Sequence, residues 1–128
     1  MDGDTVKLLV VDDEELVCVA LKRAFERSEQ HAVCTAFAMH EALHKVANHT
    51  YDVIITDWSL PDAEGLELLR RVREEGLDIP VIVISSHVRR DILEKASGYN
   101  VFRFIGKPFR IEEVRSAVND ALQSRRAS

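Results

Sequence analysis

The chain has 128 residues, 46% of them apolar and 30% charged, the make-up of one folded globular domain rather than of a disordered segment. Lys and Arg number 17 against 22 Asp and Glu, and the net charge of −5 argues against direct binding to a nucleic-acid backbone. No apolar run approaches the roughly 18 residues of a membrane span, and the acidic start Met1-Asp2-Gly3-Asp4 is unlike a signal peptide. Cys18 and Cys34 are too few for a disulfide scaffold, so the expected compartment is the cytosol.

Short apolar runs alternate with longer amphipathic stretches along the chain. Val6 to Val11 is a strand candidate that stops at acids. Glu14 to Arg27 places Leu16, Val17, Ala20, Leu21, Ala24 and Phe25 at helical spacing. Val33 to Phe37 is a short strand, and Met39 to Asn48 a helix with Ala42, Leu43 and Val46 on one side. The β-branched run Val53-Ile54-Ile55-Thr56 ends at Asp57. Gly65 to Glu75 is helical, with Leu66, Leu69 and Val72 inward, and Pro80 opens the strand Val81 to Ile84. Asp91 to Ala96 is a short helix, Val101 to Ile105 a fifth strand, and Ile111 to Leu122 a last helix. Five strands alternating with five helices, with near-continuous Val/Ile/Leu in the strands, predict a parallel sheet covered on both faces. The expected domain spans 1–128, with a core over about 6–122 and a tail or the start of a linker at 123–128.

Sheets of this kind hold their chemistry at the carboxyl ends of the strands. Asp12-Asp13-Glu14-Glu15 follows the first strand, Asp57 the third and Ser85-Ser86 the fourth, with Lys107-Pro108 just past the fifth. Three carboxylates in one pocket repel, by about 4 kcal/mol per pair at 4 Å and an effective dielectric of 20. Mg²⁺ prefers oxygen ligands, and with Lys107 it would balance the three negative charges. A carboxylate in such a site can act as a nucleophile toward phosphorus.

At these residues the sequence resembles the response-regulator receiver domains of two-component signalling. The pieces are Leu9-Val10-Val11-Asp12-Asp13-Glu14, then Asp57-Trp58-Ser59-Leu60-Pro61 with Gly65 eight residues past the aspartate, Val81 to Ser85, and Phe104-Ile105-Gly106-Lys107-Pro108-Phe109. The stretch Asp57 to Arg70 looks like chemotaxis-type receivers, and the resemblance runs from about Val6 to Leu122. It implies a flavodoxin-like, doubly wound α/β fold with strand order 2-1-3-4-5. It further implies that Asp57 accepts a phosphoryl group from a sensor histidine kinase or phosphotransfer protein. Mg²⁺ would sit on Asp13, Asp57 and the backbone carbonyl of Ser59, with Asp12 acting through water. Lys107 would pair with the phosphoryl oxygens, Ser85 would swing its hydroxyl onto them, and Phe104 would rotate inward behind it. The surface of the fourth helix, fifth strand and fifth helix would then control an output domain or target, as a monomer or a phosphorylation-dependent homodimer. On this reading the chain is a switch rather than an enzyme, with at most weak self-phosphorylation and self-hydrolysis.

Some positions depart from the family's pattern. Arg110 stands where many receivers cap the last helix with Asp or Ser, a loss of about 1 kcal/mol of helix stability. The segment Gly98 to Phe104 is longer than usual, with Arg103 before the aromatic. Ser59 and His87 occupy positions that tune the phosphoryl lifetime in the family. Proline 108 suits a cis bond, and Trp58 is expected to be partly exposed beside the site. Taken singly, Asp12-Asp13 reads equally as a solvated turn or a helix cap, Ser85 as a loop cap and Phe104 as core. The rival of another class is a metal-dependent hydrolase. His40-Glu41-Ala42-Leu43-His44 matches the H-E-x-x-H zinc signature, or Mg²⁺ at the acids could serve hydrolysis directly. The helical pattern turns both histidines to solvent, and no third ligand follows at a recognisable spacing. A flavin-mononucleotide binder would need a phosphate loop where the four acids stand.

Overall fold

The computed structural model describes residues 5–127; the acidic start at 1–4 and the last residue, 128, lie outside the described residues. The elements are β1 (Val6–Val11), α1 (Glu15–Glu26), β2 (His31–Ala36), α2 (Met39–Asn48), β3 (Val53–Asp57), α3 (Leu66–Glu74), β4 (Val81–Ser85), α4 (Arg90–Ala96), a 3₁₀ turn (Ser97–Tyr99), β5 (Arg103–Gly106) and α5 (Ile111–Ala127). All strand pairs are parallel, in the order β2-β1-β3-β4-β5. Strand order therefore reverses around β1, and the crevice between the carboxyl ends of β1 and β3 is the switch point.

Alternation along the strands divides the core in two. Leu9, Val11, Ile54, Val81 and Val83 pack with Ala42, Val46, Leu68, Leu69, Val72 and Ile92 from α2, α3 and α4. Leu8, Val10, Val53, Ile55, Ile82 and Ile84 pack with Cys18, Leu21 and Phe25 of α1 and Val114, Ala117, Val118 and Ala121 of α5. Strands buried on both faces need no polar alternation, which is why β3 and β4 are apolar until their last residues.

The structure corrects the sequence reading in several places. Leu16 is 83% exposed and Ala20 is also exposed, whereas Cys18, which the pattern passed over, is buried beside Leu21 and Phe25. The inward face of α1 thus follows 18-21-25, and Leu16 lies on the solvent side. Leu68 is fully buried on α3, while Leu66 is half-buried. Strand β2 begins earlier, at His31, and β5 later, at Arg103, because the 3₁₀ turn absorbs part of the long segment before it. Helix α5 runs on through Ala127, five residues beyond its expected end at Leu122. Its start is not uncapped. The backbone N–H of Arg110 donates to Glu113 Oε1 at 2.9 Å, the reverse half of a capping box, which adds a bond at this end without supplying the acceptor an Asp or Ser would have offered. The Lys107–Pro108 peptide is cis.

Helix α2 is capped from another element. Its N-cap position is Ala38, which has no side-chain acceptor. The Asp62 carboxylate accepts from the N–H groups of Met39 at 2.8 Å and His40 at 3.0 Å. These bonds, the Met39 N–H foremost, hold the Asp62 carboxyl down at about 2. The loop after β3 is thereby tied to the start of α2.

Candidate functional site

Asp12 follows β1, Asp57 ends β3, Ser85 ends β4 and Lys107 follows β5, so parallel pairing brings four distant segments to one edge. The register is tight: Asp57 lies across from Ile84, and Ser85 from Gly106. Asp12, Asp57 and Ser85 are buried, while Asp13 is exposed. One carboxylate oxygen from each of Asp12, Asp13 and Asp57 lies within 4.8 Å of the others, and among the described residues this is the only such group of three or more His, Cys, Asp or Glu side chains. Asp13 and Asp57 open onto a cavity of about 400 Å³, whose wall includes Ser59, His87, Arg89 and Lys95, with Asp12 buried behind them.

Lys107 Nζ lies 2.7 Å from Asp57 Oδ2, 3.0 Å from Asp12 Oδ2 and 2.9 Å from Glu14 Oε1. Burial opposes the lysine's charge, but bonds to Asp57, Glu14 and Asp12 outweigh it and raise its pKa above the ordinary value. The Asp12 pKa is raised as well, which for an acid favours the neutral form. Burial raises its pKa, and the Glu14 N–H on Oδ1 at 2.8 Å and Lys107 offset this in part. Its Oδ2, despite the short approach of Lys107, has no hydrogen bond of good geometry and is fully shielded from solvent. A buried carboxylate oxygen without an aligned donor, facing two more carboxylates, is a donor set that fits a hard divalent cation. The nearby Cys18 thiol, which points at the Asp12 carbonyl at 3.4 Å, is raised to about 11 by burial and then by the Asp12 charge, so it is inert.

The loop after β3 is shaped by backbone. Ser59 N–H donates to Asp57 Oδ1 at 3.0 Å, and Trp58 N–H extends the β3–β4 ladder to the Ile84 carbonyl at 2.8 Å. That pairing turns the indole into the core at 3% exposure, so Trp58 is not the partly exposed aromatic expected from its place beside an acid. Gly65 is required at this crossing: a Cβ there would stand 2.6 Å from the Asp57 carbonyl oxygen. The Ser85 hydroxyl is turned toward its own loop, donating to the His87 carbonyl at 3.1 Å and accepting from the His87 N–H at 3.2 Å. Phe104 is half-buried against the core opposite Val83.

The other histidine motif does not assemble. His40 is 79% exposed and its Nδ1 lies 3.0 Å from Asp62 Oδ2, and His44 is exposed on the same helix. Neither belongs to a metal-ligating group of three among the described residues. Glu14 is the contact that the sequence reading did not assign: the run of four acids marks the place, but only the fold puts the third of them on Lys107.

The model of the response regulator receiver domain family matches residues 8–119. The chain belongs to that family, and it is a receiver domain of a two-component response regulator. It is 32% identical over 119 residues to the response regulator ArlR of Staphylococcus aureus, covering 91% of this chain and 52% of ArlR. Among solved structures, the receiver domain of the Francisella response regulator 1452 superposes with a TM-score of 0.85 at 29% identity, covering 94% of this chain and 99% of that one. The beryllofluoride-activated NtrC4 receiver domain dimer gives 0.82 at 31% identity, covering 92% and 97%. The chain spans about half the length of ArlR and less of other curated relatives, 24% in the case of the transcriptional regulator NtrC of Proteus hauseri. Among the described residues no helix is long and apolar enough to cross a membrane.

Proposed function

We propose that Asp57 is the phosphoacceptor of this receiver and that its phosphorylation sets the state of the surface formed by α4, β5 and α5. The observation that carries this is the 2.7 Å contact between Asp57 and Lys107 beside the Asp12/Asp13/Asp57 trio. An Asp57 oxygen attacks the phosphorus of a phosphohistidine on a sensor kinase or phosphotransfer protein. The P–O bond forms as the P–N bond breaks, and the imidazole nitrogen leaves with the electron pair and takes up a proton from water. Asp12, Asp13, Asp57 and the Ser59 carbonyl would hold Mg²⁺, which neutralises the phosphoryl oxygens when bound. Lys107, already charged and oriented by three carboxylates, meets the same oxygens.

The new dianion gives the Ser85 hydroxyl an acceptor stronger than the His87 carbonyl. Its rotation out of the β4–α4 loop leaves space beside Val83 into which Phe104 turns. Differential contact with two arrangements of one loop is what a ligand this small needs to act at a distance. The output is a covalently attached domain or a separate target, and a phosphorylation-dependent homodimer is one form of it. The site works as a switch in the cytosol rather than as an enzyme with free turnover. The test is to add acetyl phosphate with Mg²⁺ and record intact mass. A single added phosphoryl group, lost in Asp57→Asn and on treatment with hydroxylamine, is expected. Turnover of the donor with no mass gain by the protein would instead favour a hydrolase at the acids.

A further inference from the structure

β2 is the outermost strand on one side of the sheet, and its residues His31 to Ala36 include no proline and no Lys, Arg, Asp or Glu, the usual guards of such a strand. Its pairing with β1 fixes which backbone groups face outward. Val6 N–H donates to the Gln30 carbonyl and Asp12 N–H to that of Ala36, so the even-numbered residues bond to β1 while His31, Val33, Thr35 and Phe37 face away. Side chains of the flanking helices meet these outward groups. Glu26 Oε2 accepts from the Val33 N–H at 2.9 Å, Lys22 Nζ donates to the Val33 carbonyl at 2.9 Å, and the two side chains are themselves paired at 3.0 Å. Lys45 of α2 donates to the Thr35 carbonyl, and Glu41 Oε1 accepts from the Phe37 N–H at 3.0 Å. The Val33 N–H is also the main cause that lowers the Glu26 pKa, which keeps that carboxylate charged and accepting. In an antiparallel ladder a hydrogen-bonded residue exchanges both its N–H and its C=O with the residue opposite. Lys22 and Glu26 together fill both places at Val33, as one residue of a sixth strand would.

We propose that Lys22, Glu26 and Lys45 close the outer flank of β2 against β2 of a second copy of this chain. Two copies of one strand that pair across a two-fold axis run antiparallel, and they need the Val33 and Thr35 groups that these side chains hold. Without them, an outer strand that lacks charge and proline is an open template for its own copy. The closure leaves self-association of the domain to its other surfaces, and it does not depend on the reaction at Asp57.

The test uses the whole chain, unphosphorylated, with Lys22, Glu26 and Lys45 all changed to Ala, a substitution that suits the helices on which they stand. Sedimentation velocity and amide hydrogen exchange at Val33 and Thr35 are followed from micromolar to millimolar protein. In the parent, exchange at both amides should be independent of concentration. In the triple variant, protection of the Thr35 amide should rise about tenfold across the range, in step with a dimer in sedimentation. Adding Thr35→Pro should abolish both effects, because the outward N–H is then missing while no bond to β1 is lost. The double variant Lys22→Ala with Glu26→Ala opens Val33 alone and should show a smaller rise, so the readout survives if the triple variant does not fold. Exchange independent of concentration in the folded variants would overturn the proposal. So would a dimer that persists with Thr35→Pro, or a parent in which Val33 and Thr35 already gain protection with concentration.

Discussion

The two edges of the sheet each hold a partly buried cation, and they satisfy it differently. At the carboxyl edge Lys107 faces three carboxylates, from Asp12, Glu14 and Asp57. At the amino edge Arg73, from the end of α3, gives its hydrogen bonds to carbonyls, with the Asp78 charge acting on it only at longer range. Its Nε donates to the Tyr99 carbonyl, Nη1 to those of Leu77 and Ile79, and Nη2 to that of Asn100, all between 2.8 and 3.1 Å. Asn100 has a left-handed backbone with φ of 55°, a conformation asparagine tolerates better than most residues. The guanidinium joins the end of α3 to the entries of β4 and β5, and burial lowers its pKa. Carbonyl dipoles fix a cation without cancelling its charge and have no second state to offer, so that edge is a clamp. Carboxylates exceed the single charge of Lys107 and leave a deficit of positive charge that a metal can fill, so this edge is a site.

The comparison is broken most severely by removing the clamp. Arg73→Met leaves four carbonyls without their donor and should cost about 3 kcal/mol, read as a lower urea midpoint with an unchanged slope. Removal of the cation at the other edge should cost less stability and more function. Lys107→Met should lower stability by about 1–2 kcal/mol at neutral pH while abolishing the response of the α4–β5–α5 surface, measured by amide shifts on adding beryllofluoride and Mg²⁺. A change in the opposite sense is expected for Asp12→Asn, which removes an acid held among acids. The folded Asp12 carboxyl has a raised pKa, so its ionisation penalises the fold once the pH exceeds the ordinary value of 3.8. The variant should therefore be more stable than the parent at pH 7 and gain nothing below pH 3.8, by denaturation at each pH.

The smallest effect belongs to the tie between the loop after β3 and α2. The Asp62 carboxyl is lowered to about 2, so its contribution is complete above the unfolded value of 3.8 and is lost as the pH falls through the folded one. Asp62→Asn should be less stable than the parent at neutral pH, and the gap should close between those two values. A gap that persists at the lowest pH would mean that the amide geometry, rather than the carboxylate charge, carries the cap.

Much of the site was legible because its residues stand at the ends of apolar runs. Asp57 closes a β-branched strand, and a charged group in that place has few bland readings once Asp12, Asp13 and Lys107 occupy equivalent places elsewhere. Trp58 was misread for the same reason: adjacency to an acid suggested solvent, whereas the ladder bond to Ile84 decided its direction. On α1 a tolerant apolar pattern could not tell Leu16 from Cys18, since both are apolar and the helix has two possible inward faces. The caps of α2 and α5 were illegible at the cap positions themselves, because Asp62 reaches across from another loop and Glu113 reaches back.

By itself the sequence determined the alternation of strands and helices, the burial of both sheet faces and the collection of acids and a lysine at strand ends. Those follow from local periodicity and from where each apolar run stops, and both are one-dimensional properties. The tertiary structure alone decided which charges meet, that Glu14 joins the lysine, that Arg73 clamps carbonyls from two segments, and that the Tyr51 hydroxyl is left unpaired. Distances between groups far apart in the chain depend on strand register and helix packing, and those are fixed only when the two halves of the core close on the sheet.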